Sequence, residues 1–359
     1  MSPRESVEGY SALDIPTHAA LAYVRQHAGA APALASVSAD SNVPSYVEKT
    51  LLVADASCEL PTAWLHNHKI VVIPLTIRLG DAQTLDVRDD VESATFVKTL
   101  LRQRKLSAVS ESLSPTQIRD HMQTRMAPGV SQVLQISFAS SFNSSHMYSL
   151  RATQSLVLIH GKVRRSIGSR TALKAWVLDS KTGLTGTAVL LVYASQLRSH
   201  GVAAADIVAA IGRLRDQVHT LLVPGDVDYL SASMMRRSRD GLARLKLRLA
   251  KWFDVFPVLY AGASDVRPIA RIRYHDAALD HALALATRHI ELGVIAPIVC
   301  LSFAGDLEVL HERAAFVALR VACRVQRAEL TTTVMSMTGS ALLGPGALAV
   351  SFASARFLA

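Results

Sequence analysis

Residues 50–57 read TLLVADAS, a continuous apolar run that ends at Asp55 and continues into a small, hydroxyl-bearing turn. Three further runs have the same character: KIVVIPLTI at 69–77, VLQISF at 133–138 and AWVLDS at 175–180. Short aliphatic runs without polar alternation are typical of strands that are buried on both faces of a sheet. Segments with helical periodicity lie between them, for example at 94–104 and 115–126. This alternation predicts an α/β fold with a mostly parallel sheet.

The second half of the chain is less regular. Two strand-like pieces, DVFPVLYA at 254–261 and VRPIARIRY at 266–274, follow each other directly. Because strands joined by a short turn pair antiparallel, they predict a second α/β domain with a mixed sheet. We therefore expect a flexible N-terminal arm at 1–47, an N-terminal α/β domain at 48–220 and a C-terminal α/β domain at 221–359.

The arm differs in composition from the rest of the chain. The stretch AGAAPALASVSADSNVPS at 28–45 is small, polar and interrupted by proline, which is typical of a linker. Ahead of it, residues 19–26 (AALAYVRQ) are compatible with a short helix.

Composition excludes several classes of protein. Of the 359 residues, 50% are hydrophobic and 19% are charged, which is too apolar for a disordered chain. No run approaches the roughly 18 apolar residues of a spanning helix, and the first residues do not have the pattern of a secretory signal. The three cysteines, Cys58, Cys300 and Cys323, share no disulfide or metal-ligand spacing. We therefore expect a cytoplasmic protein.

The net charge of +9 is concentrated in part in two basic stretches, at 162–174 and 236–251. Almost no aromatic residues are interleaved with them, so we expect no nucleic-acid partner. A solvated helix face accounts for the second stretch. The alternative is a docking surface for an acidic protein, or peripheral contact with an anionic membrane, with Arg236, Arg237 and Arg239 as its candidate residues.

The candidate site follows from the predicted sheet. In doubly wound sheets a ligand binds beyond the carboxyl ends of the strands, so we consider the segments there, most of them rich in hydroxyls. These segments are 55–58, 110–114, 139–145, 179–180 and 344–346. None supplies a nucleophile with its base, a phosphate-binding glycine loop or paired metal ligands. The sequence therefore predicts neither an enzyme nor a cofactor or metal site.

Six segments in a fixed order carry a more specific signal. They are LLVADASCELP, IVVIPLTIRLGD, SESLSP, ISFASSFNSS, VLDSKTGLTGTAVLL and LLGPGALAVSF. The series resembles the DegV family of fatty-acid-binding proteins across about residues 50–355. The resemblance implies two α/β domains with a long-chain acyl tail buried between them. It also implies a carrier that presents the fatty acid to a fatty acid kinase and does not itself catalyse the reaction.

The resemblance further implies which residues hold the carboxylate. Ser110 takes the place of the threonine in a TSQPS-like loop, and Asn143 takes the place of the ligand serine in an SSxLSGT-like loop. Leu342 occupies the position of a histidine two residues ahead of GPG. Asp55 and Asp179 are predicted to order the loops. The predicted ligand-binding residues are Ser57, Ser110, Asn143, Ser144, Ser145, Gly344 and Gly346.

These departures from the family pattern bear on head-group choice more than on lipid binding itself. Burial of about fifteen methylenes contributes on the order of 12 kcal/mol, at ~0.8 kcal/mol each. A hydrogen bond to a charged head contributes roughly 1.5–3 kcal/mol. Since Leu342 can neither donate nor accept, we expect a protonated acid or a neutral acyl lipid to be tolerated.

Two alternatives remain open at this point. A ligand-free protein-interaction or regulatory module that has kept the fold is favoured by Asn143, Leu342, the added arm and the basic stretch. A hydrolase that uses Ser110 or Cys58 is the other.

Overall fold

The computed structural model describes residues 49–102, 108–127, 129–141, 144–166, 172–226, 255–263 and 265–358. Its strands are β1 Lys49–Asp55, β2 Val71–Ile73, β3 Leu75–Leu79, β4 Ala82–Asp86, β5 Ala108–Ser112, β6 Val130–Ser137, β7 Lys174–Asp179, β8 Val218–Val223, β9 Val255–Gly262, β10 Asp265–Arg273, β11 Ala296–Phe303, β12 Glu329–Val334 and β13 Leu348–Ala353. Its helices are α1 Thr62–Asn67, α2 Asp90–Arg102, α3 Pro115–Arg125, α4 Ser145–Ser166, α5 Thr185–Ser199, α6 Ala204–Leu214, α7 His275–Leu292, α8 Leu307–His311, α9 Ala314–Val325 and α10 Met337–Leu343.

The strands form three sheets. A four-stranded sheet in the order β2-β1-β6-β7 is parallel throughout. A six-stranded sheet in the order β10-β9-β8-β13-β11-β12 is mixed, because only β11 and β12 in it pair parallel. The predicted fold class, with a parallel and a mixed sheet, is confirmed. A small antiparallel sheet, β4-β3-β5, was not predicted.

This small sheet arises where a proline divides one predicted strand into two. The run KIVVIPLTI at 69–77 was expected to be a single strand, but β2 and β3 lie on either side of Pro74 in different sheets. Proline has no N–H to donate and cannot continue a central ladder. Beyond it, β3 pairs antiparallel with β5, and Ile77 lies opposite Ser110.

The expected boundary between residues 220 and 221 falls inside β8. All six residues of this strand are buried, and they pair with β13 and β9 of the six-stranded sheet. A boundary placed before Val218 keeps the strand whole. The apolar pattern of the preceding helix continues into HTLLV at 219–223, so the pattern does not mark the change. The segment 306–325 forms two helices, α8 and α9, because the backbone of Arg313 between them is extended.

Helix α5 is buried between the two larger sheets. Every residue from Thr185 to Ser195 is buried, and the segment TGTAVLLVYAS has no charged side chain. A helix that is apolar all round is typical of a core position. Its side chains pack with Leu52 of the parallel sheet and Ile298 of the six-stranded sheet in one cluster. The two sheets therefore share a core. On its other face, the six-stranded sheet is covered by α7 and α9.

None of the helices in the described ranges has the length and apolar character needed to cross a membrane.

Candidate ligand site between the two sheets

Asp55 connects the loops that follow β1 and β6. Its Oδ1 accepts hydrogen bonds from the Ser57 hydroxyl and from the Ser57 N–H at 3.1 Å. Its Oδ2 accepts the N–H of Phe138 at 3.0 Å. Burial raises the pKa of the Asp55 carboxyl, and these hydrogen bonds act in the opposite direction. The Ser57 hydroxyl is thus directed at Asp55 inside the loop.

Asp179 makes a similar connection between the loops after β7 and β6. Its Oδ1 accepts the N–H of Lys181 at 2.9 Å and its Oδ2 accepts the Ser140 hydroxyl at 2.6 Å. Partial burial alone would raise the pKa of Asp179, but the bonds from Ser140 and Lys181 and the nearby His146 hold it below its ordinary value. His146, in the first turn of α4, also has its Nδ1 2.8 Å from the Ser137 hydroxyl. The sequence analysis missed His146, although it directly follows the ASSFNSS loop.

Ser110 lies where β5 meets α10. Its hydroxyl donates to Oγ1 of Thr338 at 3.4 Å. The N–H and hydroxyl of Thr338 donate to Oδ2 of Asp86 at 2.8 and 2.7 Å. Since α10 ends directly before Gly344, the structure brings Ser110 and the glycine turn to opposite ends of one short helix.

The turn Gly344-Pro345-Gly346 is held by close backbone contacts on two sides. Gly344 and Gly346 have φ angles of +83° and +86°, in the left-handed region that other residues disfavour. On one side, a Cβ added to Gly225 would lie only 1.9 Å from the Pro345 carbonyl oxygen. On the other, the Gly346 N–H donates to the Ala304 carbonyl at 2.7 Å. The turn is therefore fixed against the chain segments that follow β8 and β11.

An apolar cluster, the cleft cluster, lies against these loops between the two sheets. It consists of Val97, Phe138, Leu184, Leu222, Leu259, Ala261, Ala304, Met335, Leu343, Ala347 and Ala349, with Val266 and Leu342 packed against it. On β8, Leu222 belongs to this cluster, whereas Leu221 and Val223 belong to the core on the opposite face. Leu342 therefore adds an apolar side chain where the family pattern has a histidine.

A set of polar contacts, the polar bridge, connects the first half of the chain with the second. It pairs Glu59, Asp86, Arg88 and Asp90 with Thr333, Val334, Ser336 and Thr338. Arg88 is only 1% exposed. Its guanidinium donates to Oδ1 of Asp90 at 3.0 Å, Oγ1 of Thr333 at 2.7 Å and the carbonyl of Val334 at 3.0 Å.

Glu59 is the second buried charge of the polar bridge. Its two carboxyl oxygens accept the Ser336 N–H at 2.9 Å and the Ser336 hydroxyl at 2.6 Å. Burial raises the pKa of Glu59 to about 7, and the Arg88 guanidinium opposes that rise.

The remaining predicted site residues are placed only in part. Ser144 is exposed immediately before α4, and Ser145 is the buried first residue of that helix. Outside the described residues lie Asn143 and the three arginines of the expected docking surface, Arg236, Arg237 and Arg239. Their roles stay predictions.

The side chains that resemble nucleophiles are poorly placed for attack on a substrate. Cys58 is fully buried, and burial raises the pKa of its thiol. The Ser137 hydroxyl contacts His146 but is also fully buried and donates to the Leu178 carbonyl at 3.3 Å. Within the described ranges, no cluster of three or more histidine, cysteine or acidic side chains could hold a metal ion.

The comparison with protein families identifies the family of this chain. A model described as "Uncharacterised protein, DegV family" matches residues 49–355. The chain belongs to the DegV family. A DegV domain-containing protein of Xanthomonas campestris pv. campestris is 27% identical over 303 residues, which are 84% of this chain and 96% of that protein. A second, from Xanthomonas axonopodis pv. citri, has the same identity and coverage. The family resemblance found in the ordered motifs is confirmed, and residues 1–48 lie outside the match.

Solved structures show the same DegV fold. A stearic acid-binding protein from Eubacterium ventriosum has a TM-score of 0.69 at 16% identity, covering 85% of this chain and 98% of its own. A DegV family protein from Thermus thermophilus, described for fatty acid binding, has 0.65 at 18%, covering 85% and 99%. The Streptococcus pneumoniae fatty acid kinase B3 protein, loaded with linoleic acid, has 0.65 at 15%, also covering 85% and 99%.

Proposed function

We propose that this DegV protein binds a long-chain fatty acid, or a related acyl lipid, between its two larger sheets and carries it chemically unchanged. The cleft cluster carries the proposal, because apolar side chains from both halves converge beside the hydroxyl-bearing loops. Each methylene buried there contributes ~0.8 kcal/mol. The E. ventriosum and S. pneumoniae proteins, which share the fold, are described with stearic and linoleic acid, and this supports an acyl ligand.

The head group, in this proposal, lies at the loops beside the cleft cluster. Its hydrogen-bonding partners are the hydroxyls of Ser110, Ser144 and Ser145, the Asn143 side chain and the turn Gly344–Gly346, with Ser57 nearby. Asp55 and Asp179 order the loops through the contacts described above. His146 joins this set, because it lies beside Asp179 and Ser137.

The partner in this proposal is a fatty acid kinase, which receives the acyl ligand from the carrier. The S. pneumoniae relative is described as a fatty acid kinase B3 protein, which supports such a partner. A cytoplasmic location fits delivery to a soluble kinase and forms part of the same proposal. The carrier itself should show no turnover of a chromogenic acyl ester.

Native mass spectrometry of the purified protein tests the proposal, followed by extraction and identification of any bound molecule. We expect an acyl lipid at close to one per chain. A protein that is empty and also fails to take up added fatty acids would refute the carrier function and favour an interaction module.

Leu342→His tests the head-group assignment. Restoring a donor and acceptor beside the turn should favour a fatty acid over the alcohol or ester of equal chain length, by roughly tenfold for a hydrogen bond to a charged group. Leu342→Met, which keeps the apolar character, is the matched control. If both variants have the unaltered preference, the head group does not lie at this turn.

A further inference from the structure

A large groove, the edge groove, runs along the outer strand of the parallel sheet. It has a volume of about 1410 Å³ and is lined by the amino ends of β1 and β6, by β2 and by the turn after β4. Its lining includes the apolar side chains Leu51, Leu65, Ile70 and Val72. Sites for small molecules measure about 300–1,000 Å³. The edge groove therefore has room for a segment of polypeptide.

The edge groove carries positive charge without local compensation. Lys69, Arg125 and Arg198 line it, and no carboxylate of the described residues forms an ion pair with any of them. The guanidinium of Arg198 instead donates to the backbone carbonyls of Thr50, at 3.3 Å, and His68.

The lining carboxylate of Asp89 does not neutralise these cations. Its Oδ1 accepts the N–H groups of Val91 and Glu92, both at 2.9 Å, at the start of α2. A carboxylate at a helix amino terminus is already in a favourable electrostatic environment. The exposed side chains of Lys69 and Arg125 therefore stay available to an acidic partner.

The edge groove also contains an open sheet edge. β2 is the outermost strand of the four-stranded sheet, and Val71 and Val72 line the groove. The Val72 carbonyl lies 2.7 Å from Nε2 of His121, which also lines the groove, so helix α3 covers part of this edge. Natural proteins cover or charge such edges, since an exposed edge pairs readily with other chains.

The segment best placed to cover the edge groove is the arm of the same chain, residues 1–48. The groove lining begins at Thr50, so the arm emerges at the groove itself. The 22 residues at 27–48 would allow residues 19–26 a reach of about 26 Å as a flexible linker. A tether of this kind gives an effective concentration on the order of millimolar. Docking within one chain is thus favoured over capture of a second chain.

The charge of the arm complements that of the edge groove. The arm has five acidic residues and two basic ones, a net charge of −3. Because the whole chain has a net charge of +9, the remaining residues carry +12. The acidic residues are Glu5, Glu8, Asp14, Asp40 and Glu48, and the basic residues are Arg4 and Arg25. The segment AALAYVRQ at 19–26 supplies apolar side chains for the groove floor.

We propose that residues 1–48 bind in the edge groove of their own chain, with residues 19–26 on its apolar floor and the acidic side chains beside Lys69 and Arg125. The arm lies outside the DegV match, so this contact is an addition of this chain to the family fold. It is separate from the proposed acyl-lipid site, since none of the predicted ligand-binding residues lines the groove.

Hydrogen–deuterium exchange of the full chain tests the proposal. Amides at 19–26 and at 62–74 should be protected in the natural chain and exchange about tenfold faster in Lys69→Glu/Arg125→Glu. Arg320→Glu/Arg324→Glu, with the same charge change on the exposed face of α9, is the matched control and should keep the protection. Absence of protection at 19–26 in the natural chain would overturn the proposal.

A charge-swap rescue separates lost docking from misfolding. Glu5→Lys/Glu8→Lys/Asp14→Lys, added to Lys69→Glu/Arg125→Glu, reverses the charges on both sides and should restore the protection. Failure of this rescue would contradict the charge pairing. Protection that disappears on dilution would show that the groove binds a second copy and not its own arm.

Discussion

The polar bridge and the edge groove both concentrate charged side chains, but they satisfy them in opposite ways. In the polar bridge, the fully buried Arg88 and Glu59 each have two hydrogen bonds to the other half of the chain. In the edge groove, Lys69 and Arg125 are exposed and form no ion pair with a described carboxylate. An unpaired buried charge costs several kcal/mol, whereas an exposed one remains hydrated at little cost. The buried charges of the polar bridge must therefore be paired within the folded chain. The exposed cations of the edge groove can remain unpaired and can bind an acidic segment.

Replacing the central cation of the polar bridge should have the largest effect. Arg88→Met removes the donor to the Val334 carbonyl and leaves the buried carboxyls of Glu59 and Asp86 without their neighbouring cation, so we expect the free energy of unfolding to fall by about 3–5 kcal/mol. Denaturant titration measures it. Arg313→Met is the control, since its partners Asp276 and Asp280 are substantially exposed, and it should cost about 1 kcal/mol or less. Equal losses in the two variants would contradict the contrast between buried and exposed charges.

The titration of Glu59 should make the polar bridge sensitive to pH. Its pKa is about 7 in the folded protein and 4.5 as an ordinary glutamate, so the folded state binds the proton more tightly. The contribution of Glu59 to stability is therefore greatest below pH 4.5, declines as the pH rises to about 7 and is constant above it. The slope in this range is at most about 1.4 kcal/mol per pH unit.

Glu59→Gln isolates this effect, because it removes the titration and keeps an acceptor for Ser336. The unfolding free energy, compared between pH 5 and pH 8, should decrease more in the natural protein than in the variant. An identical pH dependence in both would show that Glu59 ionises with an ordinary pKa.

A methyl group at Gly225 should disturb the glycine turn to an intermediate extent. The added Cβ would overlap the Pro345 carbonyl, so Gly225→Ala should displace the turn, cost about 1–3 kcal/mol and weaken acyl-lipid binding. Gly212→Ala is the matched control, since that position in α6 has open space around it and a helix favours alanine by about 0.5–1 kcal/mol. Thermal melting should show opposite changes in stability for the two variants, and ligand titration should show weaker binding only for Gly225→Ala.

The smallest effect is expected at the open sheet edge. His121→Ala removes the contact with the Val72 carbonyl, but water in the edge groove can replace it. We expect a loss of about 0.5–1 kcal/mol in unfolding free energy. Thr338→Ala, which removes the hydroxyl that donates to the buried Asp86 carboxylate and keeps the backbone N–H, should cost more. If His121→Ala instead costs more than Thr338→Ala in denaturant titration, water does not replace the His121 contact and the edge of β2 is not solvated.

Features that depend on neighbouring residues were predictable from sequence, and long-range contacts were not. The apolar runs predicted β1, β6 and β7, and Pro74 in hindsight marks the split between β2 and β3. Period-two alternation did not show which face of β8 meets the cleft, because Leu221, Leu222 and Val223 are all apolar.

The polar bridge had no signal in the sequence. Glu59 and Ser336 are separated by 277 positions, and although Glu59 lies in the motif LLVADASCELP, nothing in that motif points to Ser336. Ser110 was a candidate from its place in the hydroxyl-bearing segment 110–114, but its contact with Thr338, 228 positions away, was not predictable. Such pairs are set by how the sheets pack, which local periodicity does not encode.

Helix α5 has a consequence for how a ligand can enter. It has sheets packed on both sides and contributes to the same core cluster as each of them. A hinge that parted the two halves as rigid bodies would expose that shared core, at ~25 cal/mol for every Å² of apolar area. Loading must therefore proceed through local displacement of loops while the scaffold stays closed. By the same reasoning, the two halves should denature together, as one cooperative unit.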